Sequence, residues 1–264
     1  MNPVVPLAEI PRANVLGVGI SAVDLEEAAG LFRKALADGL RGYVCVTGVH
    51  GVMEAHKDPG LRRILNSSLL STPDGVPMVW IGRLQGFSRM RRVFGPDLMR
   101  RVCEISAREG RTHFLYGGKP GVAEQLKTVL TEQFPGLQVV GSYTPPFRPL
   151  NAGEEQALAR TVARLKPDIF WVGLSTPKQE RFMARYSPMF ETRLMVGVGA
   201  AFDYLIGSIR DAPDWVKAAG LQWLHRLIQE PRRLWKRYLV NNPRFLWEIT
   251  LQMAKLRTYP LEKV

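Results

Sequence analysis

Apolar residues recur along the chain with two alternating periods. Leu25, Ala28, Ala29, Phe32 and Leu36 fall at helical spacing and lead to the apolar run Tyr43-Val44-Cys45-Val46, which reads as a buried strand. His113-Phe114-Leu115-Tyr116 is a second such run, followed by Gly117-Gly118 and then by Val122, Leu126 and Val129 at helical spacing. Leu137 to Val140, Ile169 to Val172 and Leu194 to Val196 are further short strands, and a helix marked by Ala157, Val162 and Leu165 leads into the second of them. This strand–helix–strand order predicts an α/β fold, a mainly parallel sheet flanked by helices on both faces. No internal repeat or low-complexity linker interrupts it.

The alternation stops near residue 206. Leu224, Leu227 and Ile228, then Leu234, Trp235, Tyr238 and Leu239, continue an apolar stripe at helical spacing. Pro213, Pro231 and Pro243 punctuate the region, which predicts short helices. The expected division is an α/β catalytic body over 1–206 and a basic amphipathic helical appendage over 207–264.

With 46% hydrophobic residues among 264, the chain can bury a substantial core, and 23% charged residues argues against disorder. The net charge of +12 favours an anionic partner: nucleic acid, acidic lipid headgroups or a phosphate-bearing substrate. Between 226 and 244 stand Arg226, Arg232, Arg233, Lys236, Arg237 and Arg244 against the single acid Glu230, more basic charge than a packing element needs. Cys45 and Cys103 lie in apolar settings outside any C-x-x-C pair, and are expected to be buried thiols in a reducing cytosol. The first fifteen residues have no secretory pattern, and no apolar run approaches the ~20 residues that span a bilayer. A soluble or peripheral protein is expected.

Several loops follow strands, where open α/β sheets place their ligands. In Thr72-Pro73-Asp74-Gly75 the Asp-Gly pair is ordinary turn chemistry, but a carboxylate there can also take a proton from an acceptor hydroxyl. Thr47-Gly48-Val49-His50 offers a hydroxyl and an imidazole to a sugar or phosphate, or His50 is structural. Gly117-Gly118-Lys119 is either a tight turn or a diphosphate cradle at a helix start, and it fits neither named nucleotide fingerprint. Ser175 and Thr176 before Pro177 read as helix-entry residues, whereas Gln179 can offer its amide to a substrate oxygen. Arg89, Arg91 and Arg92 form either a solvated face or a diphosphate clamp. No His/Cys cluster has metal-ligand spacing, no Asp-x-Asp pair is present and no G-x-S-x-G occurs, so neither a metal site nor a bound cofactor is expected.

Together the segments TPDGVPMVW, RVFGPDL, FLYGGKPGVAEQL, WVGLSTPKQE and GVGAAFDYLIGSIRDAPDW with the basic helices after it occur in an order that resembles the WecG/TagA/CpsF glycosyltransferases, from about Val15 to Tyr238. The resemblance implies a Rossmann-like α/β variant whose C-terminal appendage helps close the site and reach the membrane. It implies an inverting, metal-independent enzyme that moves a sugar from a UDP-sugar to a polyprenyl-diphosphate-linked saccharide. Such enzymes serve bacterial surface or exopolysaccharide biosynthesis, peripherally on the cytoplasmic face of the membrane. By match to the family motifs, Asp74 is the base, Thr47 and Gln179 lie in the pocket, Arg92 precedes the G-x-D-L segment, and Arg226, Arg232, Arg233 and Arg237 meet diphosphate.

Two departures matter. Val49-His50 stands where many members carry Asn two positions after the Thr, which points away from an acetamidomannosyl donor. The usual Arg-Ala-Pro is Asp211-Ala212-Pro213, so the resemblance assigns no arginine at that spot. A basic nucleic-acid-binding module is the rival from another class, disfavoured because its Trp and Arg residues lie on a helical stripe rather than in a β-sheet RNA signature. Without G-x-G-x-x-G, a dehydrogenase is disfavoured as well. Donor sugar, acceptor saccharide and homo-oligomerisation stay open.

Overall fold

The structure, a computed structural model, describes residues 10–261. The N-terminal segment read as lacking a secretory pattern therefore lies mostly outside the described residues. In chain order come β1 (Arg12–Val15), β2 (Val18–Ser21), α1 (Leu25–Ala37), β3 (Gly42–Thr47), α2 (Val49–Lys57), α3 (Pro59–Asn66) and β4 (Leu70–Pro73). Next are α4 (Val76–Leu84), α5 (Gly95–Glu109), β5 (Thr112–Gly117), α6 (Val122–Gln133), β6 (Gln138–Tyr143) and α7 (Ala152–Leu165). The chain continues through β7 (Ile169–Gly173), α8 (Lys178–Tyr186), β8 (Leu194–Gly197) and α9 (Ala201–Leu205). It ends with α10 (Asp214–Ala218), α11 (Gln222–Gln229) and α12 (Pro231–Met253).

Six strands form an all-parallel sheet in the order β4-β3-β8-β7-β5-β6. Both faces are covered, so the strands read as continuous apolar runs whose alternate residues enter different cores. On β7, Ile169 and Trp171 join a core with α1, α5, α6 and α9, while Phe170 and Val172 face α2, α3, α7, α8 and α12. Cys45 and Cys103 are buried free thiols in these two separate cores.

The antiparallel β1–β2 pair was not foreseen, because four-residue strands carry too little periodicity. Leu16 and Gly17 turn it with positive φ at both positions. Gln85 and Gln252 cap its exposed backbone: each donates to the Asn14 carbonyl, and their side-chain oxygens accept from the Asn14 and Leu16 amides.

α10 and α11 are short, and Pro213 and Pro231 stand at helix starts, as expected; the last helix differs. Pro243 lies inside α12, which continues through it to Met253. Phe245 and Ile249 enter the core beside α2, and this tertiary burial outweighs the loss of one helical hydrogen bond.

The chain leaves β3 for α2 on one face of the sheet and leaves the adjacent β8 for α9 on the other. Loops diverging from neighbouring strands open a crevice at their carboxyl ends, the usual ligand position in such sheets.

Candidate active site

Asp74 stands where β4 ends. Its backbone N–H donates to the Thr47 carbonyl at 3.0 Å, which ties it to the end of β3 at the crevice. Gly75 takes φ +99°, a conformation that favours glycine, and lets the chain turn into α4. Asp74 is half-buried, and burial raises its carboxyl pKa. Arg92, Arg237 and Arg226 oppose that rise and Asp97 reinforces it. A desolvated carboxylate in the field of three guanidinium groups suits a base beside an anionic substrate.

The arginines are held by aromatic rings. Arg92 lies 4.3 Å over the Phe94 ring, Phe94 meets Tyr204 edge-on at 5.2 Å, and Arg226 lies 5.0 Å over Tyr204. Arg226, only 8% exposed, also pairs with Glu230 at 3.0 Å. Arg237 sits over the Tyr238 ring, and burial lowers its pKa. Arg92 Nη2 and Arg237 Nε are buried donors without a partner among the described residues. Arg232 and Arg233 are exposed on the first turn of α12, where Arg233 pairs with Glu230.

Thr47 is buried, and its hydroxyl oxygen accepts from Ser71 Oγ at 2.8 Å. It braces the strand ends beneath Asp74. His50, at the start of α2, lies with Nδ1 3.4 Å from Asn241 Nδ2 on α12. Burial first, then the charge of Arg237, lowers its pKa to about 4, so the imidazole is neutral at pH 7.

Gln179 is 2% exposed, and both ends of its amide are engaged. Its oxygen accepts from the Gly199 N–H at 2.9 Å after β8, and its nitrogen donates to Glu180 Oε1 at 3.0 Å. Thr176 does not cap α8; its hydroxyl donates to the same Glu180 oxygen at 2.9 Å, and Pro177 is the cap residue. Ser175 does not cap through its side chain either: its backbone carbonyl accepts from Lys178 and Gln179.

At the far side of the sheet Gly117 and Gly118 both have positive φ. A Cβ on Gly117 would lie 2.5 Å from the Gly173 carbonyl oxygen, and the Gly118 N–H donates to that oxygen. Close approach to β7 thus accounts for Gly117, while positive φ and the Val122 side chain, 2.8 Å from a Cβ, account for Gly118; one N–H of the expected cradle is already engaged. Lys119 is exposed beside them.

Sequence reasoning passed over Ser71, Glu180, Tyr204, Tyr238 and Asn241. Glu180 and Ser71 had a local signal, their places beside Gln179 and just ahead of Asp74. The others are brought in by distant elements.

On the outer surface Trp223 and Leu227 are half-buried, and Trp223 packs on Tyr238 with ring centroids 5.8 Å apart. Leu224, Ile228, Trp235, Leu239, Val240, Leu246 and Trp247 are exposed. Among the described residues no helix is long and apolar enough to cross a membrane, and no group of three or more His, Cys, Asp or Glu could hold a metal ion.

A model of the glycosyl transferase WecG/TagA/CpsF family matches residues 13–259. The N-acetylglucosaminyldiphosphoundecaprenol N-acetyl-beta-D-mannosaminyltransferase of Bacillus subtilis is 30% identical over 183 residues, covering 69% of this chain and 69% of that protein. The protein of the same name from Bacillus spizizenii is 30% identical over 185 residues, covering 70% and 69%.

Proposed function

The chain belongs to the WecG/TagA/CpsF family of glycosyltransferases, and from that premise we propose that it transfers a sugar, with inversion, from a UDP-sugar to a polyprenyl-diphosphate-linked saccharide. The observation that carries this reading is the half-buried Asp74 carboxylate at the sheet's crevice, set among Arg92, Arg226 and Arg237.

Asp74 takes the proton of the acceptor hydroxyl as that oxygen attacks the anomeric carbon. The bond from the anomeric carbon to the diphosphate oxygen breaks, and UDP leaves with the electron pair. Arg92, whose Nη2 has no partner among the described residues, stabilises together with Arg226 the charge that develops on the leaving diphosphate, a role a divalent metal would otherwise fill. The acceptor named for the Bacillus relatives carries a second diphosphate, and the net charge of +12 suits two such groups held near each other.

The apolar outer face of α11 and α12, interleaved with Arg232 and Lys236, suits an anionic membrane surface, where a lipid-linked acceptor resides. The reading places the protein peripherally on the cytoplasmic face of the cell membrane, with the basic helices after residue 207 as its contact. Pathway and donor sugar follow from the substrates once these are identified.

The test is release of UDP from a panel of UDP-sugars, given a short-chain lipid-diphosphate saccharide, with EDTA present. Turnover with one donor supports metal-independent transfer and identifies the sugar. UDP release that requires a divalent cation would overturn the metal-independent part. Salt-dependent RNA binding without affinity for any UDP-sugar would favour the nucleic-acid rival.

A further inference from the structure

Glu180 is 2% exposed and carries two oxygens with opposite fates. Oε1 accepts from both Thr176 Oγ1 and Gln179 Nε2, at 2.9 and 3.0 Å, which fixes the carboxylate in one orientation. Oε2 is buried and has no hydrogen-bond partner among the described residues. Folded proteins rarely leave such an acceptor unmatched unless a ligand or water meets it.

Its location limits what that ligand can be. Gln179 anchors the pair to Gly199 at the end of β8, next to the strand that ends in Thr47. Glu180 and Asp74 both feel the charge of Arg237, whose Nε is itself a buried donor without a partner among the described residues. An unmatched acceptor, and an unmatched donor on the arginine whose charge reaches it, fit a group that both gives and takes a hydrogen bond. A sugar hydroxyl does both; a phosphate oxygen only accepts and would be repelled by the carboxylate.

We propose that Glu180 is a sugar-binding residue of the donor site, whose free carboxylate oxygen accepts a hydroxyl of the transferred hexosyl group, with Arg237 as the donor to that hydroxyl. The proposal rests on the UDP-sugar reading above. Gln179 and Thr176 then act as positioning residues that hold Glu180 rather than as the groups that touch the sugar. The assignment defines a class of donor: a sugar with an unmodified hydroxyl at the position Glu180 reads.

The experiment uses the full chain and calorimetric titration with UDP, UDP-glucose, UDP-glucuronate and UDP-N-acetylmannosamine, then the monodeoxy analogues of the tightest binder. Glu180→Gln keeps the shape of the side chain, and thermal unfolding checks that it folds. The expected result is that the variant binds UDP within twofold of wild type and the best UDP-sugar about ten- to a hundredfold more weakly. Wild type should bind one monodeoxy analogue more weakly than the parent sugar, whereas the variant should bind the two alike, a position-specific coupling that a merely structural role would not produce. Unchanged UDP-sugar affinity in the variant overturns the proposal and leaves a water at Oε2. Equal weakening toward UDP and UDP-sugar also overturns it, because the effect is then not on the sugar. Failure of the wild type to bind UDP or any UDP-sugar removes the underlying reading and the proposal together, and the UDP titration separates that case from the others.

Discussion

A Cβ on Gly48 would lie 2.7 Å from the backbone oxygen of Asp74. The glycine backbone itself is extended, at φ −113° and ψ −171°, which any residue can adopt. Its constraint is therefore contact with the residue read as the base, not backbone strain. Gly48→Ala must push Asp74 away from the crevice, since the contact atom is backbone and not the end of a flexible side chain. The expected loss is about ten- to a hundredfold in kcat with UDP affinity little changed, because misplacement of a base by a fraction of an ångström acts on the chemical step. Steady-state kinetics beside UDP titration checks it; wild-type kcat would show that the position of Asp74 does not limit transfer.

Asp74→Asn should lower turnover by about 10²–10⁴-fold while UDP still binds. Burial raises the Asp74 pKa, and the base must be deprotonated to act. The acid limb of kcat/KM is therefore expected above the ordinary carboxylate range, with activity falling as pH drops through it. A rate independent of pH from 4 to 8, or a variant with near-normal turnover, would remove Asp74 from the role of base.

The reach of the sequence differs between the sheet and the site for a physical reason. Ile169 to Val172 was legible because a strand buried on both faces must be apolar throughout. The β1–β2 pair was not, since its edge is satisfied by Gln85 and Gln252, far away in the chain. Asp74 and Gln179 stood out as polar residues just beyond strands. Tyr238 and Asn241 could not, because the same residues on a helical stripe serve a packed face or a site wall equally well. Only the docking of α12 beside α2 makes Asn241 a neighbour of His50.

His113 is a separate test, in the core away from the site. It is fully buried, its Nδ1 accepts from Trp171 Nε1 at 2.7 Å, and burial lowers its pKa to about 4. The folded chain thus keeps the imidazole neutral where the unfolded chain, titrating near the ordinary 6.5, takes up a proton. The stability this contributes is fully present above pH 6.5 and is lost as pH falls toward 4, a change of about 3 kcal/mol. Asp74 and Glu180, with raised pKa values, act in the opposite sense, so the effect is read as a difference. Urea unfolding of wild type and His113→Gln from pH 7 to 4 should show wild type losing that amount relative to the variant. Parallel curves would mean that His113 titrates as it does in the unfolded chain.

The outer face of α12 tests membrane contact without cutting the chain. Removal of the residues after 207 would also strip Phe245 and Ile249 from the core, so loss of binding in a truncated chain would have two explanations. Trp235, Leu239 and Leu246 lie within about 40° of one another around the helix, and Trp247 stands farther round the same solvent side; all are exposed. Arg232 and Lys236 fall on that side too, where they can meet anionic headgroups while the apolar side chains enter the interface. Replacement of the four apolar residues by Gln should leave the melting temperature within a few degrees, since exposed side chains contribute little to folding. Co-sedimentation with phosphatidylglycerol vesicles should fall at least about tenfold, and turnover of a long-chain acceptor in those vesicles should fall with it. Turnover of a short-chain soluble acceptor should persist. Retained vesicle binding with a change in sedimentation coefficient would assign the face to contact between copies of the chain, and the basic residues alone would then have to account for attachment.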